Sequence, residues 1–464
     1  MPAAREFNRL LAAEGISNFG AILSRLAIPW LAALVLDATP LQMAALLVAD
    51  VAAAAVGSLL LGAWVERSGK RAVMLLTDAL RCLVLAALAV LAWRGAATMT
   101  LLACAAAANG VLTMAFEVAR SAWMAQRLAA EELVHRNAQM AMVSSLSETA
   151  AFALGGWLFQ WLGAALALIV DALSYAASAL CLRAVREVTP AAGAAAAIAA
   201  TARADDAPVP GQRAAGPVAG GASLRASVRA ACRNAWQQLT AGLAVVAARG
   251  RLRALAVIEG GLAFAGSVTG TAYMIYVARD LAIPTGHLGI IFALGGLGAV
   301  LGARVAAVSA RRWGTGTAMA AGLAAAALGA ACIPLAGSAG VGAGASASAS
   351  LAGAIILLVA HQIIGDAGHT LYAVHDRTLR QTAVDVSLLA RADAALRFVG
   401  QCATLAGAGL GGIVGSAFGA RGALAASAAW LALLALYAAA MAPRFQLAPA
   451  PAAVADEDSA GRPT

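Results

Sequence analysis

Long apolar runs separated by short polar turns set the pattern of this chain. About twelve of them reach the roughly 20 residues that a helix needs to cross the hydrocarbon layer of a bilayer. They lie near residues 10–36, 41–65, 72–93, 98–118, 138–161, 164–185, 252–277, 287–309, 316–336, 351–373, 393–415 and 421–442. The pattern predicts an all-α membrane protein with about twelve transmembrane helices in two six-helix bundles.

After Arg186 the pattern changes to Ala, Gly and Pro with scattered charge, too polar to span and too poor in large side chains to pack. Residues 187–250 are therefore expected to be a cytoplasmic linker between an N-terminal bundle, 1–186, and a C-terminal bundle, 251–442; a disordered tail, 443–464, is expected after it. Within the linker Arg225, Arg229 and Arg233 recur along one helical face. Two readings are open: an amphipathic helix on anionic lipid, or a solvated helix leading into span seven.

The halves repeat. Glu14, Gly15 and Phe19 match Glu259, Gly260 and Phe264 at a shift of 245 residues, and Arg67 and Gly69 match Arg312 and Gly314 at the same shift. Gly155, Gly156 and Gly163 match Gly411, Gly412 and Gly419 at a shift of 256. Matches at constant shifts indicate a parallel duplication of a six-helix unit.

Charge refines the topology. The net charge is +9, yet the basic residues sit in alternate loops rather than on one face or tail, which speaks against nucleic acid as a partner. With a cytoplasmic N-terminus, the inner segments hold about 25 of the 32 basic residues and the outer loops about three, Arg94, Arg279 and Arg421. That asymmetry places both termini in the cytoplasm. The first run resembles a signal peptide in following Arg5 and Arg9, but Glu14, Asn18 and Arg25 interrupt it and no small-residue cleavage site closes it. The six cysteines show no paired or metal-ligand spacing and read as small packing residues.

A charged side chain costs about 2.5–3.5 kcal/mol at mid-bilayer, so charges inside the runs face a cavity or a partner. Glu14 and Glu259 stand at matching places in spans one and seven. Arg25 lies 11 residues beyond Glu14, about 16 Å along a helix and too far to pair with it, so with Asn18 it is expected to face the cavity and favour anionic groups. Asp50 in span two, Glu148 in span five and Asp171 in span six complete the first half's set. Any of these carboxylates could exchange a proton as a cavity opens to one side and then the other. Glu14 is the first candidate because of its counterpart Glu259; a packing or gate ion pair is the alternative.

Asp78 and Arg81, three apart on one helical face, read as an internal ion pair rather than a substrate site. Span ten carries His361, Asp366 and His369. About 12 Å of helical rise keeps the two histidines from sharing a metal, which leaves buried hydrogen bonding or, second, a proton relay. "SGKR" at Ser68 to Arg71 has Trp64 where a phosphate loop begins with glycine and Arg71 where it needs Ser or Thr. Neither a metal, a cofactor nor an ATP site is expected, and a proton gradient is the energy source that fits.

Twelve spans, duplicated halves and the turn formed by Gly62, Glu66, Arg67, Gly69, Lys70 and Arg71 together resemble the major facilitator superfamily, whose signature here carries Glu66 in place of Asp. The stretches "ISNFGAILSRLAIPWL", "DALR", "FEVARSAWMAQRL" and "RQTAVDVSLLARADA" are similar to bacterial exporters of the macrolide-efflux and enterobactin-exporter type. The resemblance implies a monomeric multi-pass transporter of the inner (plasma) membrane, a proton-coupled antiporter exporting an amphipathic small molecule. Import or lipid flipping by the same fold, or a membrane sensor or scaffold, are the alternatives. It also implies that Glu66 pairs with Arg120 or with charge near span eleven, latching the halves together when the inner side is shut. No nucleophile, base and oxyanion set suggests an enzyme.

Overall fold

The computed structural model describes residues 2–128, 130–186, 224–337, 347–383 and 386–446, and among them every regular element is a helix. Helix α1 is Pro2–Trp30, ending in a π turn, Leu31–Val35; α2 is Pro40–Arg67, α3 Lys70–Trp93 and α4 Met99–Arg127. The helical stretch Ala130–Arg183 breaks at Gly163 (φ 74°, ψ 169°) into α5, 130–162, and α6, 164–183. Then follow α7, Leu224–Ala248, and α8, Gly250–Ile275, which also ends in a π turn, Tyr276–Asp280. Next come α9, Thr285–Trp313; α10, Thr315–Ala336; and α11, Ala347–Ala383. The stretch Val386–Met441 breaks at Gly419 (φ 75°, ψ 169°) into α12, 386–418, and α13, 420–441.

Such dihedrals are open only to glycine, so the two breaks state the duplication in backbone geometry. Gly163 and Gly419 are the pair that the shift of 256 aligns. The two π turns are likewise equivalent at 245, each followed by a residue at positive φ, Asp37 and Ala282. Gly69 and Gly314 also align, but only Gly314 is left-handed (φ 79°); Gly69 has φ −61°, which any residue adopts. The glycine that the family signature places at 69 is therefore not required by the backbone there.

Ten stretches among the described residues are long and apolar enough to cross a membrane. The last of them, Arg391–Phe445, holds both α12 and α13, while α5 must cross because α4 descends to the face from which α5 starts. Large side chains on the outside of the bundle confirm the solvent: Leu83, Leu173, Leu180, Leu433 and Leu436 are each more than 60% exposed. Lipid, unlike water, imposes no penalty on them. This is a multi-pass membrane protein.

The face carrying Pro2, the α2–α3 turn and Gln446 is here the base; the opposite face, with residues 36–39 and 281–284, is the top. Apolar packing is arranged unevenly between them. At the top a single buried cluster joins the halves, combining Ala27, Leu31 and Met43 with Val268, Ile275 and Ile291. At the base each half has its own core, one around Phe7, Leu10 and Trp123, the other around Leu252, Leu255 and Phe445. Two helix pairs make most of the contact between halves: α2 with α12, where Gly412 and Gly415 lie against Pro40, Leu41 and Ala44, and α5 with α9, where the rings of Phe152 and Phe292 stand 5.6 Å apart. Helix α7 packs at the base, with Gly242 against the backbone of Arg391 on α12. The side chains of Arg225 and Arg229, residues 187–223 and residues 447–464 lie outside the described residues.

Candidate functional site

A cavity of about 440 Å3 lies between the halves. Helices α1, α2 and α4 supply Arg25, Asp50 and Asn109; α8, α9 and α11 supply Tyr273, Phe292, His361 and Gln362, and Met43, Leu46, Leu47 and Met274 give it an apolar body. A second cleft of about 300 Å3 shares Arg25, Asp50 and Asn109 with it and continues down the N-terminal half to Glu14, Glu117 and Arg120 near the base. The two together form a polar route from mid-membrane toward the base.

Arg25 projects into this space and makes no hydrogen bond or ion pair among the described residues. Asn109 Oδ1 and the hydroxyl of Tyr273 are buried without a hydrogen-bond partner. His361 is fixed by Nδ1 on the carbonyl of Gly329 (3.1 Å) and stands 6.1 Å from the Tyr273 ring. Unpartnered polar groups in a cavity this size are what a ligand would satisfy.

Below the cavity the charged groups pair within their own halves. Arg120 on α4 donates to Glu14 on α1. In the second half Arg380 on α11 holds Glu259 on α8 (2.6 Å), Asp376 (2.7 Å) and, at 3.9 Å, Asp393 on α12. Glu14 and Glu259 thus occupy equivalent positions, each already engaged by an arginine. Arg120 has Glu14 as a partner; the side chains of Glu66 and Arg67, and the surroundings of Gly62, lie outside the described residues, and with them the latch expected of Glu66.

Two other residues of that turn are engaged within the N-terminal half. Lys70 is buried and its Nζ donates to the carbonyls of Val65 (2.7 Å) and Ser68 (3.1 Å), capping the end of α2. Arg71 caps α6 through the carbonyls of Leu182 (3.2 Å) and Arg183 (2.5 Å). The last carbonyls of a helix have no partner of their own, and a cation meets both their hydrogen bonds and the negative end of the helix dipole. These two residues clamp their own bundle.

Other expected residues separate. Asn18 lines the lower cleft and ties α1 to α5 through the Ser144 carbonyl (3.0 Å). Glu148 is exposed on α5, and Asp366 of α11 lies against Gly295 of α9. Asp78 is fully buried, 3.7 Å from Arg81 Nη1 and 2.7 Å from the Ser178 hydroxyl, as an internal ion pair requires. Asp171 is fully buried on α6, behind both cavities. Among the described residues no three His, Cys, Asp or Glu side chains form a metal cluster, and Cys104 and Cys402 are exposed rather than packed.

The top carries a group that the sequence reading passed over. Arg279, in the π turn after α8, donates to the carbonyls of Ala33 (Nε, 2.6 Å) and Ala38 (3.1 Å) and lies 3.4 Å from Asp37. It caps the end of α1 from the other half. Its signal was visible as one of only three basic residues in outer segments; a second, Arg421, likewise holds a carbonyl, that of Pro334 (2.9 Å).

Among solved structures, the chain is similar to a bacterial homologue of the iron transporter ferroportin in an inward-facing state, at 16% identity over 95% of this chain and 99% of that one, with a TM-score of 0.67. It is also similar to the nucleoside transporter NupG (13%, 95% and 98%, TM-score 0.64). A third is a bacterial homologue of the human lysosomal transporter Spinster, inward-facing and unoccupied (14%, 96% and 99%, TM-score 0.63). At these identities the likeness is one of fold. No curated protein matches the chain in sequence. The family model for the Major Facilitator Superfamily matches residues 10–374. With that match lying across both duplicated halves, the chain belongs to the Major Facilitator Superfamily of membrane transporters.

Proposed function

We propose that this transporter exports an amphipathic small molecule of the drug, macrolide or siderophore type in exchange for protons, by alternating access, as a monomer in the inner (plasma) membrane. One observation carries the reading: a cavity walled by both halves is closed at the top by a shared core and Arg279, while at the base the two cores remain separate. The excess of basic residues in the base segments assigns the base to the cytoplasm, so the arrangement is that of a loading state open inward.

Arg25, Asp50 and Asn109 give the ligand's polar head its partners, and Met43, Leu47, Met274 and Phe292 receive its apolar body. With no ATP fingerprint in the chain, a proton gradient supplies the energy. Intramembrane carboxylates in both halves favour transport over a sensor or scaffold, since each would otherwise be a cost without a use.

The test is solute counterflow in proteoliposomes, with compounds first selected by thermal shift on purified protein. Export in exchange for protons requires flux that follows an imposed pH gradient. Flux indifferent to the gradient excludes proton coupling, and no flux for any stabilising compound excludes transport of that class.

A further inference from the structure

Four carboxylates among the described residues are no more than 7% exposed: Glu6, Asp78, Asp171 and Asp376. Glu6 has Arg127 at 3.0 Å, Asp78 has Arg81 at 3.7 Å and Asp376 has Arg380 at 2.7 Å. Asp171 has no cation within ion-pair distance. Its oxygens are unequally served: Oδ1 lies 3.1 Å from the Ser174 hydroxyl, while Oδ2 is buried with no hydrogen-bond partner.

The elements packed around it offer little charge. From α1 comes Ser24, whose buried hydroxyl lies beside the carboxylate without closing a well-aligned hydrogen bond, with Gly20 leaving no room for a Cβ there. From α3 come Arg81, Asp78 and Cys82; from α6, Tyr175 and Ser174. Glu14 reaches only as far as Asp78 and is neutralised by Arg120. Arg81 is therefore the one guanidinium for two buried carboxylates. It lies 3.7 Å from Asp78 and over the rings of Phe116 (5.2 Å) and Tyr175 (5.1 Å), with its Nε and Nη2 making no hydrogen bond. An isolated carboxylate in a dry, low-dielectric layer is strongly disfavoured, and the charge count closes when one proton is added.

We propose that Asp171 is a neutral carboxyl group holding the proton that this protein exchanges, with Ser24 as its contact to the central cavity. The Ser24 hydroxyl, which can both donate and accept, is the neighbour to which a proton on the carboxyl group would pass. Ser24 lines the central cavity, and Tyr175 and Arg81 line the lower cleft, so the carboxyl group stands one side chain from water on either route. The role in coupling rests on the antiport reading above; the site itself does not. Glu14, engaged by Arg120, is left as a gate residue.

Infrared difference spectroscopy of the purified full-length protein, exchanged between H2O and D2O at neutral pH, reads a protonated carboxyl group directly and needs no substrate. The wild type should show a carboxylic C=O band that shifts in D2O; Asp171→Asn should lose it, and Glu14→Gln should keep it. In Ser24→Ala the band should remain but exchange several-fold more slowly, a change that a purely structural serine would not produce. An unaltered band in Asp171→Asn, or unaltered exchange in Ser24→Ala, overturns the proposal. If the band behaves as expected while proteoliposomes show no proton-linked flux, the antiport reading fails and the proton site stands.

Discussion

Arg279 and Ala38 belong to different halves of the molecule, yet the guanidinium of the first donates to the carbonyl of the second at 3.1 Å. The same side chain also holds Ala33, so the unsatisfied end of α1 is completed only when the top is closed. In the duplicated fold the equivalent of Arg279 is Leu34, so the contact exists once.

Arg279→Ala should therefore favour opening at the top. Hydrogen bonds from a charged donor contribute about 1.5–3 kcal/mol each, and about 1.4 kcal/mol is tenfold in an equilibrium, so the top-open population should rise at least tenfold. Spin-label distances between Leu36→Cys and Leu281→Cys would report it, and an unchanged distribution would show that the contact does not govern closure.

The two gate ion pairs should respond differently to loss of their carboxylates. In Glu14→Gln, Arg120 is stranded, which costs about 3 kcal/mol for a largely buried partner. In Glu259→Gln, Arg380 keeps Asp376 at 2.7 Å, and the loss should be less than half as large. Melting temperatures should fall in that order, and adding Arg120→Gln to Glu14→Gln should recover most of the first loss.

Gly163→Ala and Gly419→Ala should each destabilise by about 1–3 kcal/mol, because alanine cannot adopt the shared dihedrals without strain. Gly69→Ala, at φ −61°, should be close to neutral despite its place in the family signature. Parallel thermal unfolding of the three variants checks this; a Gly69→Ala loss equal to the others would point to a contact rather than the backbone.

Those glycines also show what the sequence made legible. Apolar run lengths located the helices, and the constant shift from Gly163 to Gly419 disclosed the duplication, because both follow from local chemistry repeated along the chain. The pairing of Asp78 with Arg81 was readable for the same reason, since three residues separate them on one helix. Glu14 with Arg120, and Arg279 with Ala33, were not: 106 and 246 residues part them, and only packing brings them together. The burial of Lys70 was not legible either: a lysine in a turn between spans is ordinarily solvated, and its place against the carbonyls of Val65 and Ser68 depends on how the turn packs.

Lys70→Met should consequently act on stability rather than on lipid binding. Loss of two carbonyl contacts from a buried cation should cost about 1–3 kcal/mol, with no change in affinity for anionic vesicles. A weaker vesicle interaction at unchanged melting temperature would assign it a lipid role instead.

The proposed mechanism requires a cavity reached from the cytoplasm and shut from outside by the contact of Arg279 with α1. It is tested most directly by placing one cysteine, Thr113→Cys, in the lower cleft of a protein whose native cysteines have been replaced, and labelling it with an impermeant maleimide from each side of the membrane. Labelling from the cytoplasmic side alone, extending to the outer side when Arg279→Ala is added, is the predicted result. Labelling of the Arg279-containing protein from the outer side alone would contradict it.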